Sequence, residues 1–325
     1  MDGTLRHLFQ QLETRVSEQI IGQKVLINRL MIALLADGHL LVEGAPGLAK
    51  TRAINALSQG VDGDFQRIQF TPDLLPSDLT GTDIYRPQDG SFHFQQGPLF
   101  HHMVLADEIN RAPAKVQAAL LEAMAERQIT VGGKSYPLAS LFLVMATQNP
   151  IEQEGTYPLP EAQLDRFLLH VRVDYPHAEE ELQILRLTRQ EAMEQNSTQT
   201  AKKSSIAPLP IAAILAARKE VLDIPMTEQL EDYIVRLVVA TRQHGNNDVA
   251  RSLQYGASPR ASIALDRCAR AHAWLANRDY VSPEDIHAIA FDVLRHRLIL
   301  NYEAEAEGIN VDAVIQKIIQ YVALP

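Results

Sequence analysis

The sequence predicts a parallel α/β domain followed by a smaller, wholly helical one. Three observations carry this. Between residues 39 and 173, short apolar runs alternate with helical patterns, the texture of a parallel sheet covered on both faces. The alternation stops after Tyr175-Pro176, and the remaining chain is helical in pattern. Between the first apolar run and the helix after it stands Gly44-Ala45-Pro46-Gly47-Leu48-Ala49-Lys50-Thr51, the layout of a phosphate-binding turn.

Residues 1–38 read as helices, with Leu26, Leu30, Ile32, Ala33 and Leu34 on one apolar face. Ile20-Ile21-Gly22-Gln23 is the turn between two helical stretches. Five strands are expected at Leu40–Glu43, Phe65–Phe70, Met103–Ala106, Leu141–Thr147 and Phe167–Val173, with helices at Thr51–Ser58 and Ala114–Arg127. Within the second helix, Gln117, Leu120, Leu121 and Met124 form a stripe read as core. Residues 71–98 hold seven glycines and prolines and read as an irregular insert. Gln128–Pro137 reads as a hairpin turning at Gly132-Gly133.

These boundaries give an α/β domain over 1–176 and a helical domain over 177–325. The polar, aperiodic stretch 195–210 is expected to be a mobile linker. Helices are expected near 211–220, 227–244, 259–277, 283–296 and 311–322, with Thr227 and Ser282 as N-caps.

The bulk numbers exclude several classes. At 325 residues, 46% hydrophobic and 22% charged, the composition is that of an ordinary globular protein. No apolar run approaches the roughly 18 residues needed to cross a bilayer, so no membrane insertion is expected. Met1–His7 lacks the basic flank and apolar core of a signal peptide, and a single cysteine, Cys268, rules out an internal disulfide framework. A cytoplasmic setting is therefore expected. A net charge of −10 argues against nucleic acid as the main ligand, because that affinity comes from neutralising phosphates.

The octapeptide can hold phosphate through inward backbone N–H groups at the positive end of a helix dipole. Lys50 would reach the β- and γ-phosphates, and the Thr51 hydroxyl would ligate magnesium. Ala49 stands where the standard pattern has glycine, which implies a backbone angle other than positive φ. Taken alone, the segment also fits an ordinary strand–turn–helix connection.

Asp107-Glu108 follow the third strand at the sheet's carboxyl edge, where α/β proteins bind ligands. Asp107 would meet the magnesium through its water shell, and Glu108 would polarise the attacking water. Asn149, after the fourth strand, can hold that water without adding charge. Arg166 precedes the fifth strand; it either pairs with Asp165 or meets phosphate on a neighbouring subunit. Arg260 falls in the first turn of a helix, where its charge opposes the dipole; that misfit is a small argument for a functional role, and an ordinary surface arginine is the alternative. His93, His101 and His102 do not complete a metal site: adjacent strand residues face opposite ways.

In this order the pieces resemble the AAA+ ATPases, and most closely the MoxR family. The resemblance is carried by Gly44–Thr51, Asp107–Pro113, Ala146–Pro150, Gly155–Ala162, Leu164–Phe167, Gly256–Ala261 and Tyr302–Ile309, and spans about Ile21 to Ile315. Ala49 agrees with the MoxR pattern. The resemblance implies a P-loop domain with a five-stranded parallel sheet, capped by an all-α lid, that binds ATP or ADP with Mg2+. Lys50 and Thr51 look like the Walker A pair, Asp107 and Glu108 the Walker B pair, Asn149 sensor 1, Arg166 the arginine finger and Arg260 sensor 2. Ile20, Ile21, Gly22 and Gln23 resemble the adenine-contacting segment. Residues 71–98 resemble the helix-2 insert and 128–138 the pre-sensor-1 hairpin. The family implies a hexameric ring with nucleotide at each interface. It also implies chaperone-like remodelling or activation of protein clients, often ones carrying a von Willebrand factor A domain. A magnesium-chelatase-like metal-insertion subunit and a nucleic-acid motor are the alternative outputs.

Overall fold

The computed structural model describes residues 3–150, 155–196, 207–242 and 250–325. Five strands, β1 (Leu40–Gly44), β2 (Phe65–Gln69), β3 (Met103–Asp107), β4 (Leu143–Gln148) and β5 (Leu169–Val173), form one parallel sheet in the order β5-β1-β4-β3-β2. The register sets the carboxyl ends level: Glu43 opposes Gln148, and Gln69 opposes Asp107. One edge of the sheet thus collects residues from four strands.

The longer helices are α1 (Gly3–Gln19), α2 (Lys24–Leu35), α3 (Lys50–Gly60), α4 (Ala114–Glu126), α5 (Ala178–Asn196), α6 (Ile211–Asp223), α7 (Glu228–Ala240), α8 (Pro259–Leu275), α9 (Pro283–Leu294) and α10 (Val311–Tyr321). Alternation along each strand divides the apolar side chains between two cores. Leu40, Val42, Met103, Leu105, Leu143 and Met145 face the first, which takes in α1, α2, α3 and the helices α6–α10. Leu41, Val104, Ala106, Val144 and Ala146 face the second, closed by α4 and its Leu120, Leu121 and Met124. The first core joins the chain's two ends: the fully buried Phe9 meets Trp274 edge-on at 5.2 Å. Arg29, also buried, donates to Asp292 at 2.6 Å. No helix among the described residues is long and apolar enough to cross a membrane.

Two expectations are corrected. Residues 71–98 are not irregular. They hold a short helix, Pro76–Thr80, and an antiparallel hairpin of Gly81–Arg86 with Ser91–Gln96. The glycines and prolines sit at the ends of these pieces, so they punctuate regular structure rather than abolish it. The stretch 195–210 is shorter as a linker than expected, because both of its ends carry regular structure. Helix α5 runs through Asn196, and Leu209-Pro210 pair in parallel with Val61-Asp62 because Leu209 buries its side chain in the first core. Residues 197–206 lie outside the described residues. The hairpin expected at Gly132-Gly133 is present, pairing Gln128–Val131 with Lys134–Pro137, and both glycines have positive φ.

Candidate functional site

Strand β1 ends at Gly44, where nothing larger fits: a Cβ there would lie 2.6 Å from the Val173 carbonyl oxygen on β5. The chain then turns through Gly47, at φ +83° with open space around it, and starts α3 at Lys50. Ala49, the N-cap, adopts φ 57° and ψ 16°. This corrects the sequence expectation. Alanine accepts the left-handed conformation here, at a cost on the order of 1 kcal/mol, because the turn must reverse within one residue to begin the helix. No side chain caps that helix, so its first N–H groups face the cleft unclaimed by a side chain. That is the donor arrangement a phosphate group needs.

Lys50 bridges two strand ends, its Nζ donating to the carbonyls of Gly44 at 2.5 Å and Gln148 at 3.3 Å. Burial lowers its pKa, opposed by the charges of Asp107, Glu108 and Glu43. Asp107, buried at the end of β3, is wired on both oxygens. Oδ1 accepts from the Thr147 hydroxyl at 2.6 Å, and Oδ2 accepts from Arg67 Nη2 at 2.7 Å. Glu108 takes a left-handed φ of 57°, which swings its side chain out of the strand. Its Oε2 accepts from Gln69 at 2.8 Å and Arg111 at 3.0 Å, while its backbone N–H donates to the Thr147 hydroxyl at 2.9 Å. One threonine hydroxyl therefore links both acids. Buried Gln117 supports the next turn, donating to the carbonyls of Ile109, Ala112 and Tyr157.

Lys50, Thr51, Asp107, Glu108 and Asn149 together line a cleft of about 340 Å³, with Pro46–Ala49 as its floor. Gly44 and Ala45 shape the turn from below without lining it. Asn149 is 5% exposed. A second pocket of about 210 Å³ adjoins the loop, lined by Ile20, Ile21, Gln23, Leu48, Pro176, Ile184 and Leu187. Its walls are mainly apolar, which suits a flat base. Gly22 does not line it. Arg52 and Glu191 form a bidentate ion pair that ties α3 to α5 beside this pocket.

The sequence reading does not single out Arg67, Gln69 or Thr147. Only strand register brings them to the acids; the signals available are Gln69 near the end of the second expected strand and Thr147 at the end of the fourth, within Ala146–Pro150.

Arg166 and Arg260 lie elsewhere. Arg166 precedes the amino end of β5, so a strand of five residues, roughly 16 Å, separates its level from the carboxyl edge. It lines a cavity of about 300 Å³ together with Arg260, Asp37, His39, Arg127, Arg267 and Arg297. Asp165 does not pair with Arg166. It accepts from Arg297 Nε at 2.9 Å and from the Ser258 hydroxyl at 2.8 Å, and Arg260 stands 3.7 Å away. The structure thus groups the expected site residues in two places on opposite edges of one sheet. Among the described residues, no group of three His, Cys, Asp or Glu side chains could hold a metal ion.

The family model for the ATPase family associated with various cellular activities (AAA) matches residues 39–169, and an AAA lid domain model matches residues 246–318. The chain is 47% identical to Chaperone MoxR1 of Mycobacterium tuberculosis, covering 98% of this chain and 83% of that one. It is 31% identical to protein MoxR of Methylorubrum extorquens, covering 93% and 91%. A crystal structure of an ATPase candidate from Cytophaga hutchinsonii matches with a TM-score of 0.89 at 48% identity, covering 99% of this chain and 96% of that one. A phosphate-binding turn, paired acids on a five-stranded sheet and near-full-length relatives converge: the chain belongs to the MoxR family of AAA ATPases, which bind nucleotide and hydrolyse ATP.

Proposed function

We propose that the protein works as a ring, most simply a hexamer, with ATP held between neighbouring subunits, and that hydrolysis drives remodelling or activation of a protein client. The observation that carries this is the split between the two edges of the sheet. Arg166 and Arg260 line no part of the cleft that holds Lys50, Asp107 and Glu108. An arginine finger presented on the opposite edge serves a neighbour's phosphates.

Within the cleft, the loop N–H groups and Lys50 bind the triphosphate. Glu108 takes a proton from the attacking water, and Asn149 orients that water. Thr147 keeps the two acids in fixed relation. Thr51 and Asp107 offer the hard oxygen donors that Mg2+ requires, and both line the cleft. Both Asp107 oxygens already accept protein donors, which suits contact through the ion's water shell. The ion, when bound, neutralises charge on the β- and γ-phosphates. The pocket at Ile20, Ile21 and Gln23 would receive the adenine.

A client of the protein class is supported by the relative named a chaperone. A von Willebrand factor A domain is the client type that the resemblance implies. The ring is tested by ATP turnover per subunit across a dilution series, with Arg166→Ala alongside. Turnover should fall on dilution, and the variant should lose about a thousandfold in kcat. Turnover that stays constant on dilution, with Arg166→Ala as active as wild type, would overturn the reading.

A further inference from the structure

We propose that Arg267 is a third arginine offered to the neighbouring subunit's bound triphosphate, beside Arg166 and Arg260. This rests on the ring reading above. The cavity at the amino edge is lined by five arginines and two aspartates. The carboxylates are already committed. Asp37 pairs with Arg127 at 2.7 Å and with Arg218 at 2.5 Å. Asp165 pairs with Arg297 at 2.9 Å and Arg260 at 3.7 Å. Arg166 and Arg267 are left with no ion pair among the described residues.

Arginines gathered around one opening, with fewer carboxylates than guanidinium groups, raise a local positive potential that attracts an anionic ligand. A polyphosphate supplies several negative charges on one ligand. Guanidinium groups meet its oxygens in bidentate fashion.

The placement of Arg267 fits that ligand. It lies seven residues after Arg260 on α8, so both project from one face, about 10 Å apart along the helix axis. That spacing lets the two arginines engage different parts of one extended ligand. Ile263, 54% exposed, stands between them on the same face. An exposed isoleucine flanked by arginines suits a surface that loses its water when a neighbour docks.

The test measures ATP turnover of Arg267→Ala and Arg267→Lys rings. Loss of the contact should lower kcat about tenfold, while KM for ATP, set by each subunit's own cleft, stays within about twofold. The lysine variant should recover only part of the loss, because it keeps the charge and loses the fork. Mixing supplies the decisive arm. Arg267→Ala subunits, mixed with Glu108→Gln subunits before ATP is added, should exceed the summed activity of the two alone, since each provides what the other lacks. The same mixture made with Arg166→Ala is the control. Rescue in both mixtures supports the proposal. Rescue with Arg166→Ala alone, or an Arg267→Ala kcat within twofold of wild type, overturns it and leaves the ring standing. No rescue with Arg166→Ala overturns the ring reading, and Arg267's role falls with it.

Discussion

The two edges of the sheet are built on opposite terms. At the carboxyl edge the charged residues of the cleft already have partners: Lys50 has two carbonyls, Asp107 has Thr147 and Arg67, and Glu108 has Gln69 and Arg111. At the amino edge two arginines have no ion pair among the described residues, and four others crowd two carboxylates. The first site is organised within one chain. The second carries more positive charge than its two carboxylates match, so the chemistry it can do depends on the ligand that arrives there.

Substitutions can break this contrast from either side. The largest effect is expected from Glu108→Gln, which keeps the size of the side chain but removes the proposed base. ATP should bind with unchanged affinity while turnover falls a hundredfold or more, roughly the worth of general-base catalysis. Nucleotide affinity and phosphate release measured on the same sample decide it, and unchanged turnover would refute the role. Proteins that co-purify with this variant in the presence of ATP would name the client.

Thr147→Val tests whether the internal wiring matters for rate. It removes one hydroxyl that serves both acids and keeps the shape. A fall in kcat of about tenfold, with nucleotide affinity little changed, is the expected outcome. A variant as fast as wild type would show that strand register alone positions the acids.

At the amino edge the expected effect is on stability, with no direct effect on rate. His39 lies there fully buried, and burial, reinforced by Arg127, pushes its pKa down to about 3. His296, also buried, is lowered well below the ordinary value by the same cause, with Arg297 adding to it. The unfolded chain binds protons at these histidines below about pH 6.5 while the folded chain does not. Stability should therefore fall as pH drops below about 6.5, by up to about 1.4 kcal/mol per pH unit for each histidine, and for His39 the loss continues towards pH 3. Urea unfolding at pH 7 and pH 5 measures this. His39→Gln should reduce the difference, and an undiminished difference would remove His39 from the account.

Much of the fold and of the cleft is legible in the sequence because its signals are local. Each expected strand of the sheet is present within two residues at either end, since apolar runs between turns leave few other solutions. Gly44–Thr51 and Asp107-Glu108 announce themselves by residue type and by position after a strand. Ala49 misleads because its angle is imposed by the loop's path, and alanine itself prefers another. Arg67, Gln69 and Thr147 escape notice because their roles depend on which strands lie side by side, and β2, β3 and β4 are far apart in sequence. The hairpin over Gly81–Gln96 is hidden by its surroundings. Phe92 is 71% exposed, so the strand lacks the buried face that makes alternation readable.

The contact of Phe9 with Trp274 bears on how this protein can be taken apart. A cut near residue 176 divides the sequence cleanly but not the packing, because α1 and α2 share their apolar face with helices from the far end of the chain. Helices exchanged between relatives would have to travel with the amino-terminal pair that seals them. The unit of inheritance and of engineering is a bracket, two segments at opposite ends of the polypeptide, rather than a module that can be clipped off at a boundary.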